Sequence, residues 1–113
     1  MFDFMLPKVP QVEAKVLYEA IQANEDISIL DVRTEGEYSK EKIQNSINLP
    51  VDQIVEKIES IIPDKSKKIY TYCLSGSRSV FAVNNMVKLG YINVFDVKSG
   101  LLAWRVNKFP VSK

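Results

Sequence analysis

The residues of this sequence that point most directly to chemistry are Cys73 and Arg78, five positions apart. The segment between them reads Leu-Ser-Gly-Ser, so a turn of mostly small residues joins a thiol to a guanidinium. The reactive form of cysteine is the thiolate, which backbone amides, a helix N-terminus and a nearby cation all stabilise. The spacing therefore predicts a nucleophilic cysteine in an anion-binding turn.

The 113-residue chain contains no histidine and no second cysteine. These two absences exclude an intramolecular disulfide and a zinc site built from His and Cys within one chain. They also exclude activation of a nucleophile by a histidine base. We expect no metal and no cofactor, and a Cys73 thiol that is activated by backbone amides, a helix end and Arg78.

Fifteen basic residues against fourteen acidic ones give a net charge of +1. A nucleic-acid-binding protein would show a strongly basic face, which this balance lacks. No apolar run approaches the roughly 18 residues that a membrane span needs, and residues 1–6 lack the basic region and the length of a signal peptide. We therefore expect a cytoplasmic protein with no nucleic-acid or membrane partner, in a compartment that keeps Cys73 reduced.

Short apolar or β-branched runs alternate with helical stripes along the chain. Strands are predicted at residues 27–32, 46–49, 68–72 and 93–97. Helices are predicted at residues 13–23, after the capping box of Thr34 and Glu37, at 51–62, over the buried stripe Val80, Val83 and Val87 that ends at Gly90, and at 101–104. Parallel strands need crossover connections, so this alternation predicts a three-layer α/β fold. Its central, mainly parallel sheet has about five strands and is flanked by helices.

The length fits one domain, because domains commonly contain about 100–150 residues. We interpret residues 1–113 as a single domain with an N-terminal arm at residues 1–10. The arm carries Phe2, Phe4, Met5 and Leu6 ahead of two prolines. We expect it to pack back on its own domain, and a patch for a partner protein is the alternative.

Cys73 comes directly after the predicted strand at 68–72, and a buried helix follows Arg78. Ligands of open α/β sheets bind at the carboxyl ends of the strands, where a turn and a helix N-terminus together favour an anion. The predicted substrate-binding residues are Leu74, Ser75, Gly76, Ser77, Arg78 and Ser79. The alternative is an apolar core cysteine, which so polar a turn disfavours.

From residue 12 to residue 111 the chain resembles the single-domain rhodaneses, a family of sulfurtransferases. The resemblance is carried by Leu30-Asp-Val-Arg33 with Glu37-Tyr38, Ile43 through Ile47-Asn-Leu-Pro50, Tyr72-Cys-Leu-Ser-Gly-Ser-Arg-Ser79, and Gly90-Tyr-Ile-Asn-Val94 leading to Gly100-Leu-Leu-Ala-Trp104. It implies that Cys73 takes sulfane sulfur from a small donor anion such as thiosulfate and becomes a persulfide. The acceptor would be cyanide, a thiol or an acceptor protein, and it must be external because no second cysteine can resolve the persulfide.

The resemblance also implies roles for the neighbours of Cys73. The loop amides and Arg78 would hold the donor anion, Asp31 and Arg33 would brace the loop, and Trp104 would support the site by packing. Ser99 stands where the family has the first glycine of a pair. This replacement leaves open how closely that backbone approaches the active loop, and Ser99 could instead cap the last helix.

Two other functions remain open at this point. Phosphatases and arsenate reductases of the same fold resemble this family but have one more residue between their cysteine and arginine, which gives a wider cradle. Four residues separate Cys73 from Arg78, the number associated with sulfur transfer. A non-catalytic rhodanese-like binding module is the second alternative, and the presence of Cys73, Gly76 and Arg78 disfavours it.

Overall fold

The structure is a computed structural model and describes residues 6–113. The first five residues of the predicted arm, with Phe2, Phe4 and Met5, lie outside the described residues. Leu6 is 47% exposed, whereas Val9 and Pro10 of the arm contact the domain. The carbonyl of Pro10 accepts a hydrogen bond from the Asp96 amide at 2.9 Å, and Val9 packs against the core.

A five-stranded parallel sheet with helices on both faces forms the domain, as the alternation of strands and helices predicts. The strands are β1 Gln11–Val12, β2 Ile27–Asp31, β3 Ile47–Asn48, β4 Lys68–Tyr72 and β5 Val94–Val97. The helices are α1 Ala14–Gln22, α2 Glu35–Lys40, α3 Ile54–Ile61, α4 Ser77–Lys88 and α5 Gly100–Val106. The strand order is β1-β5-β4-β2-β3, and every pair is parallel. None of the helices within residues 6–113 is long and apolar enough to cross a membrane.

Three details differ from the sequence predictions. Val12 belongs to the edge strand β1, which the sequence did not predict, and it pairs with Val97. The segment Val51–Gln53 is a 3-10 turn that precedes α3, so the helix predicted at 51–62 begins later. Val87 is 45% exposed because only one face of α4 meets the sheet. The predicted capping box of α2 is confirmed, since Thr34 and Glu37 cap each other reciprocally.

The sheet separates the core into two sides, because successive side chains of a strand point to opposite faces. On one side, Ile69 and Cys73 of the β4 segment pack with α3 and α4. On the other side, Tyr70 and Tyr72 pack with α1 and α5, and with Trp104. The Cys73 sulfur therefore lies on the face covered by α3 and α4, and the Trp104 ring lies on the opposite face.

Candidate active site

Cys73 follows the last residue of β4, and its side chain is fully buried. Its Sγ accepts the backbone N–H of Gly76 at 3.1 Å and that of Ser79 at 3.4 Å. The Ser79 hydroxyl lies 3.4 Å from the same sulfur. The turn and the first residues of α4 thus direct amide donors at the sulfur, which is the arrangement that stabilises a thiolate or another anion.

Gly76 gives the turn its shape. It immediately precedes α4 with φ at +114°, a conformation that a residue with a side chain rarely adopts. Ser77 is the first residue of the helix and not its N-cap, so the hydroxyl of Ser77 does not cap α4. Ser75 and Ser77 are exposed on the outer side of the turn, and Leu74 packs partly buried against the α1 and α5 side of the core.

The N-terminus of α5 holds the turn from behind. The Leu101 amide donates to the Cys73 carbonyl at 2.9 Å, and the Leu102 amide donates to the Leu74 carbonyl at 3.0 Å. A Cβ on Gly100 would overlap the Cys73 carbonyl oxygen and lie 2.9 Å from the Leu74 carbonyl oxygen. The close approach to the active loop therefore depends on Gly100.

Ser99 precedes α5 in the left-handed region, with φ at +60°. Its amide nitrogen lies 3.3 Å from where a Cβ on Gly76 would be. Its side chain makes no capping hydrogen bond, so the predicted cap is not formed. Ser99 thus adopts a positive φ at the position where the family has glycine. The serine does not prevent α5 from reaching the loop.

Arg78 projects from the first turn of α4 to Glu37 of α2. The two side chains form a two-pronged ion pair, with Nη1 to Oε1 at 2.7 Å and Nη2 to Oε2 at 3.0 Å. This pairing, together with hydrogen bonds from Thr34, lowers the pKa of Glu37 to about 2. The anion-holding role of Arg78 stays a prediction, because in the structure its charge is compensated by Glu37. The sequence analysis assigned Glu37 to the capping box and to a motif of the resemblance but not to the site, although its position after β2 places it at the same sheet edge as Cys73.

Asp31 and Arg33 form a buried ion pair at the end of β2. Arg33 Nη2 lies 2.7 Å from Asp31 Oδ2, and Arg33 Nε lies 3.1 Å from both carboxylate oxygens. The guanidinium also lies over the Tyr72 ring, 5.8 Å from its centroid, and donates to the Glu41 carbonyl. The pair holds the residue before Cys73 and the segment after β2, which agrees with a bracing role. Trp104 is buried and donates from Nε1 to a backbone carbonyl of the C-terminal segment at 2.7 Å.

Asp96 of β5 is a site residue that the sequence analysis missed. Its carboxylate is fully buried, accepts the Ser79 hydroxyl through Oδ1 and accepts Gln11 Nε2 through Oδ2 at 2.7 Å. Burial raises the pKa of the Asp96 carboxyl, and the two hydrogen bonds oppose that shift. Within residues 6–113 no three His, Cys, Asp or Glu side chains come together as a metal site.

The Cys73 turn lies at the end of the parallel strand β4, between the N-termini of α4 and α5. A family model matches most of the chain around it. Residues 13–107 match the family model described as the Rhodanese-like domain. The chain belongs to this family. The four segments that carry the resemblance to the rhodaneses lie within or next to the matched residues.

The rhodanese relatives include sulfurtransferases of nearly the same length. A sulfurtransferase of Allochromatium vinosum is 27% identical over 91% of this chain and 94% of its own length. A thiosulfate sulfurtransferase of Escherichia coli is 34% identical over 58% of this chain and 62% of its own. The crystal structure of a rhodanese-related protein from Thermoplasma volcanium is 35% identical, covers 92% of this chain and 98% of that one, and superposes with a TM-score of 0.81. Some relatives are longer, and the chain spans 51% of a putative sulfur carrier protein of Bacillus subtilis. These relatives support sulfur transfer as the general activity.

Proposed function

We propose that this protein is a sulfurtransferase that carries sulfane sulfur on Cys73 as a persulfide. The observation that carries the proposal is the convergence of the Gly76 and Ser79 amides on the buried Cys73 sulfur. The thiolate bears its negative charge on Sγ, and fixed N–H donors stabilise such an anion without any reorganisation. The turn therefore suits the attacking thiolate, and it equally suits the thiolate that leaves when the persulfide is discharged.

The transfer needs two displacements and no oxidant. In the first, the Cys73 thiolate attacks the outer sulfur of thiosulfate, an Sγ–S bond forms, and sulfite leaves with the electron pair of the broken S–S bond. In the second, cyanide or an external thiolate attacks the outer sulfur of the persulfide, and Cys73 leaves as the thiolate. The acceptor is external because the chain holds one cysteine.

Thiosulfate as donor is supported by the name of the E. coli relative, which covers 58% of this chain. Arg78 and the rim residues Leu74, Ser75 and Ser77 are the proposed contacts of the donor anion, while Asp31, Arg33 and Trp104 keep the site in place. We place the protein in the cytoplasm, where a reducing setting returns Cys73 to its free form. Residues 1–113 act as one rhodanese domain in this proposal.

Intact mass after incubation with thiosulfate tests the proposal directly, because Cys73 is the only thiol. We expect a gain of one sulfur atom, its removal by cyanide, and no gain in Cys73→Ser. Ser60→Ala is the control, since it removes an exposed hydroxyl of α3 outside the turn and should still load. Phosphatase or arsenate reductase activity without any sulfur adduct would contradict the proposal, and so would the absence of both adduct and activity, which a binding module predicts.

A further inference from the structure

The buried carboxylate of Asp96 lies in a small polar cluster behind the Cys73 sulfur. The residues that face this carboxylate are neutral, with Gln11 from β1 and Ser79 from α4 as its hydrogen-bond partners. Thr71 of β4 is its register partner in the sheet, so the two side chains lie on the same face. Among residues 6–113, no Lys or Arg lies within ion-pair distance of Asp96. Its charge is therefore compensated by hydrogen bonds alone.

The Ser79 hydroxyl connects this carboxylate to the reactive sulfur. It lies 3.4 Å from Cys73 Sγ, where it accepts the thiol proton, and it donates its own proton to Asp96 Oδ1. Thr71 lies two residues before Cys73 on the same face of β4, and its buried hydroxyl has no hydrogen-bond partner among residues 6–113. The side chains of Thr71, Ser79 and Asp96 form a polar group that apolar core residues enclose on the α4 side of the sheet.

We propose that Asp96 is a positioning residue that controls the ionisation of Cys73 through Ser79, so that the carboxylate and the thiolate share one negative charge. The proposal rests on the proposed function only in taking Cys73 as the reactive group. In the exchange, the Cys73 S–H bond breaks and its electron pair stays on Sγ. The Ser79 hydroxyl accepts that proton and gives its own to Asp96, where an O–H bond forms. The total charge of the pair does not change.

Coulomb repulsion is the physical reason for sharing. Two negative charges this close together in a buried site disfavour each other, as in pairs of neighbouring carboxylates. The other charged groups near the sulfur are already paired: Arg78 with Glu37, and Asp31 with Arg33. Lys98, two residues after Asp96, is exposed. No uncompensated buried cation within residues 6–113 relieves the repulsion, so Cys73 ionises most readily when Asp96 is protonated.

The persulfide avoids this repulsion, because its charge lies on the outer sulfur, one bond further from Asp96. An ionised Asp96 therefore disfavours the free thiolate more than it disfavours the loaded cysteine. In the discharge step the Cys73 thiolate is the leaving group. A thiolate that is less stable is released more slowly. Asp96 thereby helps Cys73 to keep its sulfur until an acceptor attacks.

The pH dependence of alkylation tests the proposal without any sulfur donor. The single cysteine is labelled with iodoacetamide at a series of pH values, and the rate is followed by intact mass. Asp96→Asn keeps the shape and the acceptor oxygen that faces Ser79 but removes the charge, and its new NH2 group faces Gln11, whose side-chain amide can turn to offer its oxygen. We expect its alkylation midpoint to lie about one pH unit or more below that of the unmodified protein, as is typical of removing a like charge at this range.

Two further variants keep the test decisive. Thr71→Val is the matched neutral control, since it changes the same buried cluster without touching a charge, and its midpoint should not move. Gln11→Leu removes a donor to the Asp96 carboxylate from an exposed position, favours the protonated acid, and should move the midpoint in the same direction by less. A midpoint in Asp96→Asn that is equal to or above the unmodified value overturns the proposal. If Asp96→Asn does not fold, an unmoved midpoint in Gln11→Leu overturns it.

Persulfide discharge gives a second readout. Protein loaded with thiosulfate is treated with cyanide, and the loss of the sulfur atom is timed by intact mass. We expect discharge several-fold faster in Asp96→Asn than in the unmodified protein or Thr71→Val, and equal rates contradict the role in sulfur retention. Failure of the unmodified protein to load contradicts the proposed function, whereas the alkylation profiles still decide the role of Asp96.

Discussion

At the scale of single residues, the pairing of Arg78 with Glu37 determines what an incoming anion meets. Each terminal nitrogen of the guanidinium gives one N–H to the carboxylate. A guanidinium has five N–H donors, so three remain for another acceptor. Glu37 thus holds the Arg78 side chain in place, so in the proposed function the donor anion would meet a fixed guanidinium whose charge is partly compensated.

Replacing Arg78 by alanine should affect the use of thiosulfate more than it affects folding. We expect the KM for thiosulfate to rise about tenfold, which corresponds to losing roughly one charged hydrogen bond. The melting temperature should fall by only a few degrees, because a half-exposed ion pair contributes up to about 1 kcal/mol. Steady-state kinetics and thermal unfolding of the same preparation measure both effects.

Arg105→Ala is the control for this experiment, since Arg105 forms the comparable ion pair with Glu41 on the surface. It should lower stability by a similar small amount and leave the KM unchanged. A KM for Arg78→Ala that equals that of the control would contradict a role in anion binding. Equal losses of stability and activity would make Arg78 a structural residue only.

The position of Cys73 and its loop follows from the sequence, whereas the placement of Glu37 and Asp96 beside them does not. Cys73 is the only thiol, and the small residues after it indicate a turn, so its place at a strand end can be inferred locally. Asp96 is different, because in the sequence it is one polar position within a short strand. Its proximity to Ser79 depends on β5 lying beside β4 and under α4, which is a property of the tertiary structure.

At the scale of elements, the active turn is held between α4 in front and the N-terminus of α5 behind. Gly100 makes that contact, with φ at +48° and no room for a Cβ beside the Cys73 and Leu74 carbonyls. Strain at positive φ and overpacking each cost about 1–3 kcal/mol. α5 must therefore shift whenever a side chain is placed at residue 100.

Gly100→Ala should lower the free energy of unfolding by about 2–6 kcal/mol, the combined cost of the positive φ and the overlap. Gly36→Ala is the matched control, because its Cβ would meet only the Thr34 hydroxyl at 3.9 Å within helix α2. It should be neutral or stabilising by up to about 1 kcal/mol. Urea unfolding measures both values, and similar midpoints for the two variants would contradict the role given to Gly100.

The alternation of strands and helices predicts every element except β1. The run at 68–72 is long enough to be identified as a strand from the local sequence, and β4 spans the same residues in the structure. β1 contains two residues and is a strand only because it pairs with β5, so no local pattern reveals it. The exposed side of α4 could not be predicted from a local pattern either, because the packing of the helix determines which of its apolar side chains face the sheet.

At the scale of the whole molecule, the ion pair between α2 and α4 makes stability depend on pH in a defined window. The pKa of Glu37 falls from 4.5 to about 2 in the folded protein, mainly because of the hydrogen bonds from Arg78. A lowered pKa contributes stability that is fully present above the unfolded value. That contribution is lost as the pH falls from about 4.5 through about 2.

Glu37→Gln retains the capping geometry of α2 but removes the charge. We expect it to be less stable than the unmodified protein at pH 7, by less than about 1 kcal/mol because the pair is partly exposed. This difference should shrink between pH 4.5 and pH 2. Glu59→Gln serves as control, since its ion pair with Lys65 is more exposed. Thermal unfolding across this range measures the effect, and a constant difference between Glu37→Gln and the unmodified protein would contradict it.

The pairing of β1 with β5 has a consequence for the order in which the site is completed during synthesis. Gln11 donates to Asp96, a residue 85 positions later. A nascent chain that has passed residue 79 but has not reached residue 96 contains Cys73 and its turn, but it lacks Asp96, the pairing of β1 with β5 and the α5 clamp. Contacts between such distant residues also form late in folding. The thiol is therefore made before the structure that controls it, and during that interval it depends on the reducing conditions of its surroundings for protection.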